Sequence, residues 1–144
     1  MNTITVIGGK ARQKRYVESM VQFCIKMLMP RMKTLDITVK LCSPKGAMGY
    51  CLAENKRTFE IEVDVTLRLR RLLETLAHEM VHVKQYARNE LHVEYANCWK
   101  NEFYTKTDYW DCPWEIEAHG RELGLFIRWA EFHKLGRKKW TQHI

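Results

Sequence analysis

Strict alternation of apolar and polar residues over Leu35–Leu41 constrains this chain more than any other feature. Leu35, Ile37, Val39 and Leu41 fall on one side of an extended segment, and Asp36, Thr38 and Lys40 on the other. Side chains alternate across the pleat of a strand, so the pattern predicts a strand with one face on a core and one face in water. Phe59, Ile61, Val63 and Val65, spaced by Glu60, Glu62 and Asp64, repeat it. A sheet with one apolar face needs a covering layer, and the helical patterns on either side of these strands supply one.

Thr3–Ile7 is a short β-type run ending at Gly8 and Gly9. From Ala11 to Met29, Val17, Met20, Val21, Cys24, Met27 and Leu28 recur at helical spacing, and Pro30 ends that helix. Ser43–Gly46 reads as a turn. Met48–Ala53 reads as a strand weakened by Gly49, and Asn55–Arg57 as the next turn. Thr66 is the expected N-cap of a helix over Leu67–Asn89 with a stripe of Leu72, Leu76, Met80 and Val83. Residues 90–109 hold no firm period. A last helix is expected from Asp111 as N-cap, with Pro113 in its first turn and Glu115 and Glu117 near the positive end of its dipole. Ile116, Leu123, Ile127 and Ala130 are expected on its buried side, Trp129 in the core, and Gly136 as its terminator. Short turns between three consecutive strands predict neighbours that are mostly antiparallel. The expected fold is α+β: one small, mostly antiparallel sheet packed against an N-terminal, a central and a C-terminal helix, in a single domain spanning 1–144.

The length of 144 residues fits one domain, and 46% apolar with 28% charged residues excludes a disordered chain. No apolar stretch is long enough to span a bilayer, and residues 1–15 lack the apolar core of a secretory signal. The five cysteines are odd in number and form no C-x-x-C pair, so a disulfide framework is not expected and a reducing cytoplasm is. The net charge of +7 resides in residues 1–77, which carry 14 basic and 7 acidic groups against 10 of each in residues 78–144. Clusters stand at Lys10, Arg12, Lys14 and Arg15, at Arg68, Arg70 and Arg71, and at Arg137–Lys139. They are compatible with a nucleic-acid partner, and a solvated basic surface is the plainer reading.

Residues 78–82 read His-Glu-Met-Val-His, inside the long helix. Positions i and i+4 share a helix face one turn apart, so His78 and His82 could reach one metal ion together. Glu79, offset by one residue, is placed to take a proton from a water at the open position of that ion. A catalytic zinc site takes three protein ligands and leaves a fourth position to water. The chain does not resemble the metzincins, in which a third His follows the second by six residues with a Gly midway: Arg88 and Gln85 stand at those positions. His92 lies beyond the helix end with no spacing motif behind it. Glu115 and His119, again at i and i+4, are both candidate ligands at the start of the next helix.

The motif His78–His82 followed by Glu115-Ile-Glu117-Ala-His119 resembles the gluzincin zinc peptidases, whose second helix carries a zinc-binding Glu followed by an Asp. The resemblance implies Zn2+ as cofactor and Glu115 as third ligand. It puts His119 where an Asp normally supports a zinc-binding His, so His119 is either that support or an alternative ligand. The run Tyr109–Glu115 resembles the approach to the ligand Glu in lethal-factor-type zinc toxins, which implies that Tyr109 stabilises the oxyanion, with Tyr104 and His119 as weaker candidates. The element order from Leu35 to His82 is similar to SprT-like minimal zincin domains of bacteria and phages. Those usually take a third His, which this chain does not clearly offer. By the same resemblance Ala47–Ala53 corresponds to the edge strand that pairs with substrate, and the implied activity is hydrolysis of peptide bonds in a protein or peptide, with Glu79 as general base. Trp110 and Trp114 flank the proposed ligand, where they either line a pocket or pack. Two other readings stand beside this one: a protease held on DNA by its basic half, and a non-catalytic virion or scaffold module with a structural zinc.

Overall fold

The computed structural model describes residues 1–142. The chain forms β1 (Thr3–Ile7), α1 (Ala11–Leu28), β2 (Asp36–Cys42), β3 (Gly49–Ala53), β4 (Thr58–Asp64) and α2 (Leu69–Ala87). A two-residue ribbon of β5 (Cys98–Trp99) and β6 (Glu102–Phe103) follows, then α3 (Pro113–Phe132). Short 3-10 turns at Tyr109–Asp111 and Lys139–Thr141 precede and follow α3. The architecture is α+β, with three helices and a small mixed sheet.

The sheet order is β1-β2-β4-β3. β1 pairs with β2, and β2 with β4, in parallel; β3 and β4 pair antiparallel. The expectation of a mostly antiparallel sheet is therefore wrong. β1-α1-β2 is a crossover unit, which returns the chain in the same direction. The chain then passes β2's neighbour position, runs out to the edge as β3, and turns back so that β4 fills the gap. Alternation reports which face is buried and is blind to strand direction. The alternation itself holds: Ile37, Val39, Leu41, Phe59, Ile61 and Val63 are buried under α1 and α2. Thr38, Lys40, Glu60 and Glu62 occupy the other face, where Lys40 and Glu60 pair at 2.8 Å.

The helix boundaries move for local reasons. Thr66 does not cap α2: its amide and hydroxyl both bond the Asp64 carboxylate, and Arg68 becomes the extended N-cap residue. Asp111 lies in the 3-10 turn, leaving Cys112 as N-cap and Pro113 at the first helical position of α3. α3 ends at Phe132, with Lys134 in the left-handed region, so Gly136 is not its terminator. Its buried face is Ala118, Glu122, Leu125, Phe126, Trp129 and Ala130, while Ile116, Leu123 and Ile127 are exposed. Only Ala130 and Trp129 of the expected inner residues are inside. Met27 of α1 is also exposed.

Two glycines fix close approaches. Gly8 has φ +83°, and a Cβ there would run into the Leu41 carbonyl. A Cβ on Gly49 would stand 2.9 Å from Thr75 Cγ2 and 3.3 Å from Glu79 Oε2, so glycine lets edge strand β3 lie directly against α2. Among the described residues all five cysteines are unpaired, and no helix is long and apolar enough to cross a membrane.

Candidate metal centre

α2 and α3 pack along each other, and their facing polar residues meet beside β3. His78, Glu79 and His82 are each less than a tenth exposed. His78 Nε2 lies 3.0 Å from Glu115 Oε1, and His82 Nε2 lies 3.3 Å from Glu115 Oε2. Each of the three residues offers a donor atom within 4.8 Å of the others, a set that could hold a metal ion.

The hydrogen bonds around the set fix which ring atoms face inward. Gln85 is fully buried, and its Nε2 donates to the Trp114 carbonyl at 3.0 Å and to Glu117 Oε1 at 2.9 Å, both pure acceptors. Its Oε1 must therefore be the atom 2.7 Å from His82 Nδ1, which donates to it. With the proton on Nδ1, the lone pair of neutral His82 points through Nε2 toward a carboxylate oxygen. Two lone pairs face each other unless a cation lies between them, either a proton or a metal ion. Lys84, 2.7 Å from both Glu90 and Glu117, anchors the far end of this chain of contacts.

His78 is held from both edges. Its Nδ1 is 3.1 Å from Glu122 Oε1 while its Nε2 faces Glu115. Burial by itself lowers the His78 pKa, but hydrogen bonds to Glu115 and Glu122 outweigh it and push the value up to about 9. Burial likewise works to raise the Glu115 pKa, and the bonds from His78, His82 and Tyr109 overcome it and hold the carboxyl well below its usual range. A ring that keeps a proton this firmly between two carboxylates occupies a place built for positive charge.

Glu79 differs from its neighbours. Among the described residues its carboxylate takes no hydrogen bond. Burial raises its pKa against the pull of His82 and His78. It stands where two cavities meet. One, of about 460 Å3, is bounded by Cys51, Tyr86, Leu91 and Trp114. The other, of about 380 Å3, is bounded by Arg71, Thr75, Trp110 and His119. Both share Ala47, Gly49, His78, Glu79 and Tyr109 as walls.

The Tyr109 hydroxyl is 2.9 Å from Glu115 Oε1, to which it donates, and 2.9 Å from His119 Nε2. Burial and the Glu115 charge raise its pKa, so it stays a proton donor. His119 sits one step outside the three-donor set: its Nδ1 is 2.8 Å from Glu122 Oε1, and exposed Trp110 stacks on its ring at 4.8 Å. With His78 and Glu122 it forms a second group of potential donors on the other edge of the His78 ring. The carboxylate bonded to His78 Nδ1 is Glu122, which also bonds His119. Tyr104 turns its hydroxyl to Glu102, and His92 bonds Asn101; neither reaches the set.

Gln85 and Glu122 escaped the sequence reading. A signal existed for each: Gln85 follows His82 by three residues, and Glu115, His119 and Glu122 fall at i, i+4 and i+7 of one helix face. Compared with protein-family models, curated proteins and solved structures, the chain matches none.

Proposed function

We propose that this protein is a zinc-dependent metallopeptidase of the gluzincin kind, with His78, His82 and Glu115 as ligands and Glu79 as general base. The observation that carries the reading is Glu79: a buried carboxylate without a hydrogen-bond partner, next to a three-donor set and open to two cavities. A purely structural metal site has no use for such a group and would close its fourth position with protein.

Two imidazoles and one carboxylate suit zinc, and the donors are already turned inward by Gln85 and Glu122. When bound there, zinc supplies Lewis-acid chemistry, acidifying a water and polarising a carbonyl. Glu79 takes the proton of the attacking water, and its raised pKa suits it to hand that proton to the departing amide nitrogen. The Tyr109 hydroxyl donates to the oxygen that gains charge in the tetrahedral state, a contribution of about 3–4 kcal/mol for such donors. β3 is the sheet edge and passes Glu79 at Gly49, so a peptide laid along β3 by main-chain hydrogen bonds enters both cavities, one on each side of the scissile bond. The substrate is accordingly a protein or peptide in extended form. Five unpaired cysteines support a reducing compartment, the cytoplasm, as the place of action.

The test joins metal analysis to one variant. Purified protein is expected to hold about one zinc per chain, since the ligands make one site. Glu79→Gln is expected to keep the metal and lose cleavage of an unfolded protein substrate such as casein. Loss of zinc in Glu79→Gln, or undiminished cleavage, overturns the assignment.

A further inference from the structure

Three basic clusters that are far apart in sequence come together at one end of the fold. The guanidinium carbon of Arg12, on the first turn of α1, lies over the Trp140 ring, 5.6 Å from its centroid, and 5.8 Å from the Tyr16 centroid; that of Arg15 lies 5.6 Å from the Tyr16 centroid. Tyr16 and Trp140 meet at 5.2 Å, which seats the C-terminal 3-10 turn against α1. Arg70 bonds the Thr141 carbonyl, and Gln13 of α1 donates to the Val65 carbonyl just before α2, so the start of α2 joins the same end. Lys10, Arg12, Lys14, Arg15, Arg68, Arg137, Lys138 and Lys139 are all exposed there.

Not every cation of these clusters is available. Arg70 and Arg71 are tied to Glu74, and Arg71 also to Glu122. Among the described residues none of the eight exposed cations has an ion-pair partner. Nearby acids are few: Asp64 is engaged by Thr66, Glu74 by the two arginines, and Glu18, one turn of α1 beyond Lys14 and Arg15, forms an ion pair with neither. Such a concentration of like charge raises the energy of the fold unless an anion answers it.

We propose that this end of the molecule docks the phosphate backbone of a nucleic acid. Eight cations without an apolar centre match the composition of nucleic-acid interfaces and not that of protein interfaces, whose cores are apolar and poor in lysine. A membrane surface fits less well. Ile7 is the one exposed large hydrophobe on these segments among the described residues, whereas interfacial binding needs a broad apolar face beside the charge. The Trp140 ring holds the Arg12 guanidinium in place, and among the described residues its N–H donors bond no protein acceptor, which leaves them for a phosphate. Phosphate contacts carry no sequence information, so binding is expected to be indifferent to base sequence. The inference is independent of the metal centre, which it neither uses nor requires.

The experiment is fluorescence anisotropy of short fluorescein-labelled oligonucleotides, single-stranded and duplex, titrated with the full chain over a range of salt. Binding is expected, falling about 10³–10⁵-fold between about 50 and about 200 mM salt. The quadruple variant Lys10→Gln, Lys14→Gln, Lys138→Gln, Lys139→Gln is expected to lower the log–log salt slope by about 3–4. A control that removes the same charge elsewhere (Lys33→Gln, Lys56→Gln, Lys100→Gln, Lys106→Gln) is expected to leave affinity and slope near the parent's. Circular dichroism establishes that both variants fold, and chelator treatment of the parent is expected to leave binding unchanged. No binding, a flat salt response, equal weakening in both variants, or tighter binding to phosphatidylserine vesicles than to the oligonucleotides overturns the proposal. None of these outcomes touches the peptidase reading, which the Glu79→Gln assay decides separately.

Discussion

Glu122 Oε1 accepts from His78 at 3.1 Å, from the side of the ring opposite the one that faces Glu115. That contact fixes the ring's orientation and holds the proton on Nδ1 when a cation displaces the one on Nε2. The same residue braces His119 at 2.8 Å, so one carboxylate ties two helices and two imidazoles together. Glu122→Ala is expected to weaken zinc affinity by roughly 10–100-fold, the usual effect of losing a support of this kind, and Glu122→Gln less, since an amide oxygen still accepts. Competition against a fluorescent chelator measures both. Unchanged affinity in the alanine variant contradicts the role.

Glu115 and His119 make opposite predictions although one turn of α3 separates them. Glu115→Ala is expected to release the metal, because Glu115 supplies the one carboxylate facing both Nε2 atoms. His119→Ala is expected to retain it, because its two nitrogens are committed to Glu122 and Tyr109. Metal analysis after gel filtration separates the cases; zinc lost from His119→Ala and kept in Glu115→Ala reverses the assignment. Tyr109→Phe is expected to keep the metal and the KM while kcat falls by about 10²–10³.

How much of this was legible in the sequence differs by element. The half-buried strands and α2 were readable because their apolar residues keep a clean period. The inner face of α3 was not, for a reason connected with the site itself. Its first turns bury Glu115, Ala118, His119 and Glu122 at least in part, so polar residues stand where an apolar stripe would announce the core. Ile116, Leu123 and Ile127 make a better apolar register and lie outside. His78, Glu79 and His82, and Glu115 and His119 as alternatives, were singled out by spacing along single helices, and the resemblance chose Glu115 between the last two. Gln85 and Glu122 act across helices, and periodicity within one helix does not say which residue of another lies opposite. Strand direction was missed because a period of two carries no sign.

The metal-free protein is expected to lose stability as pH rises. The His78 pKa is raised from 6.5 to about 9 in the folded chain. A group raised on folding contributes fully below its unfolded value and stops contributing once pH passes its folded value. Urea unfolding of chelator-treated protein is therefore expected to show a stability contribution complete below about pH 6.5 and gone above about pH 9, absent from His78→Gln. Zinc uptake runs the other way. The ion must displace the His78 proton, so apparent affinity is expected to climb with pH until about 9 and then level. A flat stability profile across this window contradicts the place of His78 between two carboxylates.

Gly49 offers the sharpest test of how β3 meets α2. A methyl group there would stand 2.9 Å from Thr75 Cγ2, 3.1 Å from the Glu62 carbonyl oxygen and 3.3 Å from Glu79 Oε2. The Glu62 oxygen belongs to the sheet ladder and cannot retreat without breaking the β3–β4 register, in which Gly49 sits opposite Val63. The strain falls on Thr75 and on the general base. Gly49→Ala is expected to destabilise the fold by about 1–3 kcal/mol, the range for overpacking a tight contact. It is also expected to lower kcat with zinc content unchanged, because the three atoms nearest the added methyl belong to Thr75, Glu62 and Glu79 and to none of the ligands. Thermal melts and metal analysis run beside peptide-cleavage kinetics read all three quantities. A variant with parental kcat and melting point shows that β3 stands farther from α2 than the structure places it.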